Sequence, residues 1–311
     1  MAALLVVAAL WVVNTSAFTS PSGPPKLLAH RGLAQSFDLE GVGNDTCTAE
    51  LIHPPEHPYL ENTIASLRAA FEAGADVVEL DVQLTRDGRF AVFHDSDLGC
   101  RTEASGPVRD RTMQELRQLD IGYGYTADGG RTFPFRGKGV GLMPELAEVF
   151  DAFPDHELLL NIKSNDPEEG TALARRLSEL PGERLDALAV YGGDRPISAL
   201  KQALPGVRVM SRATLTRCLG WYLAVGWSSY VPPGCENTQL HLPERYARLM
   251  WGWPHRFVAR MEEHGSRVVF VAGDGTWSAG FDSAEDVGRL PEDFSGTVWT
   301  NRIDRIARLL D

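Results

Sequence analysis

The sequence lacks an excess of positive charge. Its 30 lysines and arginines are outnumbered by 42 aspartates and glutamates, which leaves a formal net charge of −12 at pH 7. Binding to DNA, RNA or an anionic membrane surface calls for a basic patch, so the composition argues against those partners. An anionic substrate would need a local cationic site. Internal repeats and low-complexity tracts are also lacking, which leaves the composition of an ordinary globular protein.

Long apolar runs are scarce as well. Residues 1–13, MAALLVVAALWVV, form one, and no lysine or arginine precedes it. Its length suits a signal peptide and is short for a spanning helix, and the following NTSAFTS allows cleavage after Ala17. We expect a signal peptide at 1–17, a mature domain at 18–311 in a secreted or periplasmic setting, and no stable membrane insertion after cleavage. An uncleaved anchor is the alternative.

Cysteine occurs only four times in 311 residues. An even number of cysteines behind an export signal predicts two disulfides, although four cysteines allow three connectivities. We favour Cys47 with Cys100 and Cys218 with Cys235. Four free buried thiols are the alternative, which an oxidising compartment disfavours.

Short apolar runs alternate with amphipathic helical patterns, as successive β-α units do. The pattern predicts an α/β fold, a (β/α)8 TIM barrel, with inserted loops after strand 1 (residues 33–60) and strand 3 (residues 120–143). Ordered loops of this length are often lids or binding loops. The eight predicted strands are 27–31, 76–82, 90–95, 157–163, 187–191, 207–211, 267–272 and 297–301.

Polar side chains end each of the first four predicted strands. They are His30 with Arg31, Glu79 with Asp81, His94 with Asp95, and Asn161 with Lys163. The carboxyl ends of barrel strands share one rim, where the active sites of this fold lie. The pattern therefore predicts that these groups meet at one place.

Glu79 and Asp81 stand two residues apart, so their side chains point to the same side of the strand. Two adjacent carboxylates in a partly buried rim repel, and a divalent cation removes that cost. Oxygen ligands favour Ca²⁺ or Mg²⁺ over zinc. The alternative is a carboxylate pair that is salt-bridged to Arg31 or Lys163.

His30 and His94 flank the predicted cationic cluster. Two imidazoles in such a place can remove a proton from a nucleophile and give one to a leaving oxygen, as phosphodiester cleavage requires. Arg31 and Lys163 would hold the phosphate. Either histidine taken alone would more often be structural.

These residues belong to a set of motifs that resembles the glycerophosphodiester phosphodiesterase family, whose barrel is similar to phosphatidylinositol-specific phospholipase C. The resemblance implies a (β/α)8 barrel that hydrolyses a glycerophosphodiester to glycerol 3-phosphate and an alcohol, with one divalent cation, Ca²⁺ or Mg²⁺. The motifs are HRG at 30–32, ENT at 61–63, GADVVELDVQLTRDG at 74–88, HD at 94–95, NIK at 161–163 and TNRID at 300–304.

The resemblance also implies roles for single residues. His30 would be the general base and His94 the general acid. Arg31 and Lys163 would bind phosphate. The metal ligands would be Glu79 and Asp81, and Glu61 would support the rim.

Asn161 departs from the family pattern, which usually has a glutamate two residues before this lysine. An amide oxygen can serve as the third ligand of a hard cation but brings no charge. We therefore expect weaker metal binding than at a three-carboxylate site.

Two further interpretations stay open. A lipid-directed phosphodiesterase, resembling sphingomyelinase D or lysophospholipase D, would take a lysolipid, which Trp251 and Trp253 could contact. Buried aromatic packing is the plainer interpretation of those two tryptophans. A non-catalytic secreted binding protein is the third interpretation, and Asn161 is the feature that favours it.

Overall fold

The computed structural model describes residues 23–43, 46–275 and 279–310, together with the six residues 12, 14–16, 19 and 21. The predicted signal peptide and its cleavage site therefore lie largely outside the described residues. Among the residues that are described, none of the helices combines the length and apolarity needed to cross a bilayer.

Within this part of the chain, nine strands form one sheet. The strands are β1 (Lys26–Ala29), β2 (Val77–Leu84), β3 (Phe90–Val92), β4 (Glu157–Ile162), β5 (Leu188–Gly192), β6 (Arg208–Met210), β7 (Gln239–Pro243), β8 (Arg267–Val271) and β9 (Thr297–Thr300). Eight are parallel and run around a barrel in the order β6-β5-β4-β2-β1-β9-β8-β7. A parallel bridge between Val209 and Thr238 joins the two ends of this order, so the barrel is nearly closed.

Helices connect the barrel strands and cover the outside of the sheet. They are α1 (Ile64–Glu72), α2 (Met113–Leu116), α3 (Leu146–Ala152), α4 (Pro167–Ser178), α5 (Gly182–Asp186), α6 (Asp194–Ala203), α7 (Arg212–Val225), α8 (Glu244–Ala247), α9 (His255–Glu263), α10 (Ala284–Val287) and α11 (Ile303–Leu310). Side-chain caps begin several of them. The Thr63 hydroxyl accepts from the Ser66 amide at α1, and Asp166 caps α4 ahead of Pro167.

The apolar core has an inner and an outer layer. Inside the barrel, buried side chains of six strands pack together, among them Leu28, Leu159, Val269 and Trp299. The outer layer lies between the sheet and the helices, where Leu67 of α1 and Leu173 of α4 are fully buried. This packing fixes the strand ends that carry the polar residues.

Two strand predictions need correction. The run 90–95 was predicted as a barrel strand, but β3 pairs antiparallel with β2 in a hairpin, with Val92 opposite Val82. The Asp87-Gly88 turn explains this, because Gly88 has a φ of 76° and such turns favour hairpins. The missed barrel strand is β7, which was not predicted because Gln239 and His241 interrupt its apolar pattern.

The two inserted loops pack on each other rather than extending separately over the barrel. Ala49 and Ile52 of the first share a buried cluster with Tyr125 and Phe135 of the second. The predicted disulfide between Cys47 and Cys100 ties the first loop to the segment after β3, and the predicted Cys218–Cys235 bond also forms. Both disulfide predictions are confirmed.

Candidate active site

The HRG motif forms a tight turn directly after β1. Arg31 has a φ of 58° and Gly32 a φ of 77°. A Cβ on Gly32 would lie 2.5 Å from the Ser66 hydroxyl, so this position requires glycine. The turn places the Arg31 backbone amide 3.0 Å from Glu79 Oε2, to which it donates.

Glu79 and Asp81 are completely buried on β2. The Tyr191 hydroxyl donates to Glu79 Oε1 at 2.7 Å. Asn62 donates to Asp81 Oδ2 at 2.9 Å, and Asn161 donates through Nδ2 to Asp81 Oδ1, also at 2.9 Å. The structure thus brings the three predicted metal ligands together.

Cations also surround these carboxylates. Arg31 Nε lies 3.6 Å from Asp81 Oδ2, and Lys163 Nζ lies 3.6 Å from Asp81 Oδ1. Burial and the neighbouring Asp81 raise the pKa of Glu79 to about 8. Burial also acts to raise the pKa of Asp81, but Lys163 and Arg31 outweigh it and hold that pKa below its usual value. The two carboxylates therefore cannot both ionise at low cost without further positive charge.

His30 is fixed by the last barrel strand. Its Nδ1 lies 2.7 Å from Asn301 Oδ1, and its ring centroid lies 4.8 Å from that of Trp299. An amide oxygen only accepts, so Nδ1 carries the proton and Nε2 carries the lone pair. Burial, reinforced by Arg31, lowers the pKa of His30 to about 3. The ring is therefore neutral near pH 7.

His94 is fixed by its sequence neighbour. Its Nδ1 lies 2.6 Å from Asp95 Oδ1, and the other Asp95 oxygen pairs with Arg101. Burial, followed by the cations Arg31, Lys163 and Arg101, holds the pKa of His94 well below its usual value. The hairpin of β2 and β3, rather than a barrel strand, brings His94 to the rim beside His30.

Arg101 lies at the centre of a buried network behind the histidines. It donates to Glu61 Oε1 at 3.1 Å, to the Thr48 hydroxyl at 2.8 Å and to the Tyr125 hydroxyl at 3.1 Å. Glu61 also accepts from Arg31 at 3.1 Å. One buried carboxylate thus links the arginine behind His94 to the arginine beside His30, and the supporting role of Glu61 stays a prediction.

The rim opens into a cavity of about 980 Å³. His30, Arg31, His94, Asn161 and Lys163 all line it. Apolar and aromatic side chains line one part of the remaining wall, namely Tyr191, Met210, Leu215, His241, Val271 and Trp299, and polar or charged ones such as Glu50, Asp97 and Arg212 line another part. The buried Trp299 Nε1 has no hydrogen-bond partner among the described residues, so a donor at the cavity wall is left for a ligand.

Several residues of the site were not singled out from the sequence. Arg101 gave no signal, because a single arginine after a cysteine does not reveal that it is buried. Tyr191 and Trp299 were interpreted only as strand residues. Asn301 lies within the TNRID motif, and Asp95 in the HD motif, so the motifs contained them without stating their contacts.

Comparison with known proteins gives three related findings. Residues 30–180 match the model of the glycerophosphoryl diester phosphodiesterase family. A glycerophosphodiester phosphodiesterase from Caldanaerobacter subterraneus is 41% identical over 103 residues, which cover 33% of this chain and 39% of that relative. Two mycobacterial relatives are covered over 61% and 60% of their length, so the chain spans less than two thirds of these curated relatives.

Solved structures share the fold. The glycerophosphoryl diester phosphodiesterase domain of an uncharacterised protein from Mycobacterium tuberculosis superposes with a TM-score of 0.62 at 19% identity, over 92% of this chain and 98% of that one. A phosphodiesterase from Oleispira antarctica, in complex with the product sn-glycerol-3-phosphate, superposes with a TM-score of 0.56 at 19% identity, over 93% and 97% of the two chains. The barrel, the motif order and these matches agree, and they all support the glycerophosphoryl diester phosphodiesterase family for this chain, whose residues 30–180 match the family model.

Proposed function

We propose that this protein hydrolyses a glycerophosphodiester to glycerol 3-phosphate and an alcohol. One observation carries the proposal. Two buried histidines line one cavity together with Lys163, and each has its Nδ1 held by a side-chain oxygen. In this arrangement Nε2 is the ring nitrogen of each histidine that would exchange protons, and His30 Nε2 accepts a hydrogen bond from Arg31 Nε at 3.1 Å. The match to the family supports the same substrate class.

His30 serves as the general base in this proposal. With its proton on Nδ1 and a pKa lowered to about 3 by burial and Arg31, the ring is neutral at pH 7, and its Nε2 carries the lone pair that would take the proton in place of the hydrogen bond from Arg31. The proton would come from a hydroxyl of the substrate's glycerol as that oxygen attacks phosphorus. The new P–O bond forms, the bond to the leaving alcohol breaks, and a cyclic phosphate results, which water then opens.

His94 serves as the general acid that protonates the leaving alcohol oxygen. The three cations that hold its pKa low are the groups that a bound phosphodiester would partly neutralise. The substrate's negative charge therefore raises the pKa of His94 when it binds. Asp95 keeps the Nδ1 proton in place, so that the transferred proton is the one on Nε2.

Lys163 is the better placed of the two proposed phosphate-binding cations. Its side chain is 22% exposed, whereas that of Arg31 is 3% exposed and already bonds Glu61. Arg31 would contribute mainly its charge, while the ammonium of Lys163 can move to meet a phosphate oxygen.

A divalent cation fits the chemistry of this donor set. Four carboxylates (Glu61, Glu79, Asp81 and Asp95) face three cations (Arg31, Arg101 and Lys163), so ionisation of Glu79 beside Asp81 would leave one negative charge that a bound cation would neutralise. Glu79, Asp81 and Asn161 would hold the ion, which would withdraw electron density from a phosphate oxygen when bound. Among the described residues no cluster of three or more His, Cys, Asp and Glu is arranged for a metal. Asn161 directs its amide nitrogen at Asp81, so its side chain would have to turn for the amide oxygen to reach the ion.

Asn161 sets the metal affinity under this proposal. Calorimetric titration of chelator-stripped protein with Ca²⁺ and Mg²⁺ should show tighter binding in Asn161→Glu, because affinity of an oxygen site rises with ligand charge. The variant should also turn over more slowly, since the new carboxylate would pair with Lys163. Asn161→Ala should bind the ion more weakly than wild type. Equal affinity in all three proteins would show that Asn161 is not a ligand.

The size of the cavity favours a second candidate function. About 980 Å³, with Met210, Leu215 and Val271 along the walls, exceeds the needs of a small glycerophosphodiester. A lysolipid, cleaved by the same chemistry in the manner of lysophospholipase D or sphingomyelinase D, would use this space. The proposed setting is extracytoplasmic, which is compatible with the two disulfides.

The test is a comparison of substrates in the presence and absence of chelator. We expect turnover of glycerophosphocholine that stops in EDTA and returns with Ca²⁺ or Mg²⁺, whereas bis(p-nitrophenyl) phosphate, which has no hydroxyl beside its phosphorus, would be cleaved only by attack of water. Preference for lysophosphatidylcholine would support the second candidate. No turnover of any of the three with added metal would instead favour a non-catalytic binding protein.

A further inference from the structure

An exposed group of large apolar side chains lies on one side of the barrel. It consists of Trp221, Leu223, Trp227, Tyr246, Leu249 and Trp251, which we call the aromatic face. Trp221 is 62% exposed and Leu249 is 59% exposed. Single exposed apolar residues need no explanation, but a cluster of this kind on a soluble domain marks an interaction surface.

The aromatic face is held together by hydrogen bonds. Trp251 Nε1 donates to the Leu223 carbonyl at 2.9 Å, and the Tyr222 hydroxyl donates to the Trp251 carbonyl at 2.8 Å. These bonds fasten the segment after α8 to α7. The Cys218–Cys235 disulfide anchors the same helix from its other side. The face is therefore a built surface and not a loose loop.

Helix α7 breaks the usual pattern of a surface helix. Its exposed positions include Ala213, Gly220, Trp221, Leu223 and Ala224, and the helix contains no acidic residue. A surface helix of a globular protein normally turns charged and polar residues to solvent. The exposed positions in the second half of α7 are therefore apolar, while Arg212, Thr216 and Arg217 are the exposed polar residues of its first half.

Charge is distributed unevenly around this surface. Residues 212–260 contain six arginines and two glutamates, which gives them a formal charge of +4. Because the whole chain has a net charge of −12, the rest of it carries −16. Arg212, Arg217, Arg245 and Arg248 are exposed on or beside the face. The net charge that argued against an anionic membrane surface is an average that conceals this basic region.

We propose that the aromatic face docks on the surface of an anionic lipid bilayer. Tryptophan and tyrosine suit the boundary between headgroups and acyl chains, and arginines beside them attract anionic headgroups. The first turn of α7 supplies Arg212 and Leu215 to the wall of the active-site cavity, so docking brings the cavity mouth close to the lipid. Trp253, by contrast, packs inward on Phe270 and Phe294 and takes no part.

The experiment is co-sedimentation of the full chain with vesicles of phosphatidylcholine alone and of equimolar phosphatidylcholine and phosphatidylglycerol. Wild type should bind the anionic vesicles, and less so at high salt. Arg217→Glu with Arg248→Glu should lower the partition coefficient on anionic vesicles about thirtyfold. Trp221→Ala with Leu249→Ala should lower it about tenfold on the same vesicles.

Arg308→Glu and Leu309→Ala are the matched controls, because both residues are exposed on α11, away from the aromatic face. Both controls should bind as wild type does, and near-ultraviolet circular dichroism should be unchanged in every variant. The proposal is overturned if wild type binds neither vesicle, or if the face variants bind as well as the controls. It is equally overturned if the face variants change the oligomeric state of the protein but leave vesicle binding as it was.

Discussion

Replacement of His30 or His94 by alanine should lower kcat on glycerophosphocholine by about a hundredfold or more, as expected for the loss of a general base or acid. Neither change should unfold the protein, because each ring lies at the cavity rather than within the apolar core. His264→Ala is the control, since the ring of this half-buried histidine contacts the carbonyl of Arg260 at the end of α9 and does not line the cavity. Near-normal turnover in either variant would remove that histidine from the mechanism.

The two histidines should differ in their dependence on the leaving group. The p-nitrophenolate ion leaves without needing a proton, whereas choline leaves as an alkoxide unless it is protonated. His94→Ala should therefore lose much less activity on the p-nitrophenyl ester of glycerol 3-phosphate, which keeps the attacking glycerol hydroxyl, than on glycerophosphocholine. Equal losses on both substrates would contradict the assignment of His94 as the acid.

Arg101→Met should destabilise the protein by about 3–5 kcal/mol, the cost expected when one partner of a buried ionic network is removed. Arg101 is 2% exposed and pairs with both Glu61 and Asp95. Burial acts to raise the pKa of Glu61, and Arg101 and Arg31 act to lower it. In the variant Arg31 is the main cation left, so the pKa of Glu61 should rise. The measurement is the free energy of unfolding in urea at pH 7.

Arg109→Met is the matched control for this experiment. Arg109 pairs with Asp166 at 3.3 Å, but its side chain is 56% exposed, and surface pairs contribute about 0–1 kcal/mol. If Arg101→Met lowers the free energy of unfolding no more than the control does, the buried network is unimportant for stability. Arg101→Met should also lower the turnover of glycerophosphocholine, because Asp95, which orients His94, would lose its contact with Arg101.

Much of the fold could be predicted because its signals are local. The apolar run of β2 and the helix start at Thr63 are each encoded in a short stretch of sequence. Seven of the eight barrel strands were predicted near their true positions. β7 was missed because Gln239 and His241 interrupt an otherwise apolar run. His241 lines the cavity, and in a sequence such polar residues are typical of a loop. β3 was misplaced although Asp87-Gly88 carried the hairpin signal.

The candidate site was predictable to the extent that its residues share motifs. His30, Glu79, His94 and Lys163 all lie at the rim where the sequence placed them. What could not be predicted is which contacts form over long separations. Arg101 reaches Glu61 across 40 positions, and His30 reaches Asn301 across 271. Such pairs depend on the closure of the barrel and on the packing of the inserts.

The measurement that tests the account most directly is phosphorus NMR of glycerophosphocholine incubated with the metal-loaded protein. The account predicts that the diester signal is replaced by glycerol 3-phosphate, with a transient cyclic phosphate, and that His30→Ala with His94→Ala abolishes the conversion. An unchanged diester signal, or phosphocholine as the product, would contradict it.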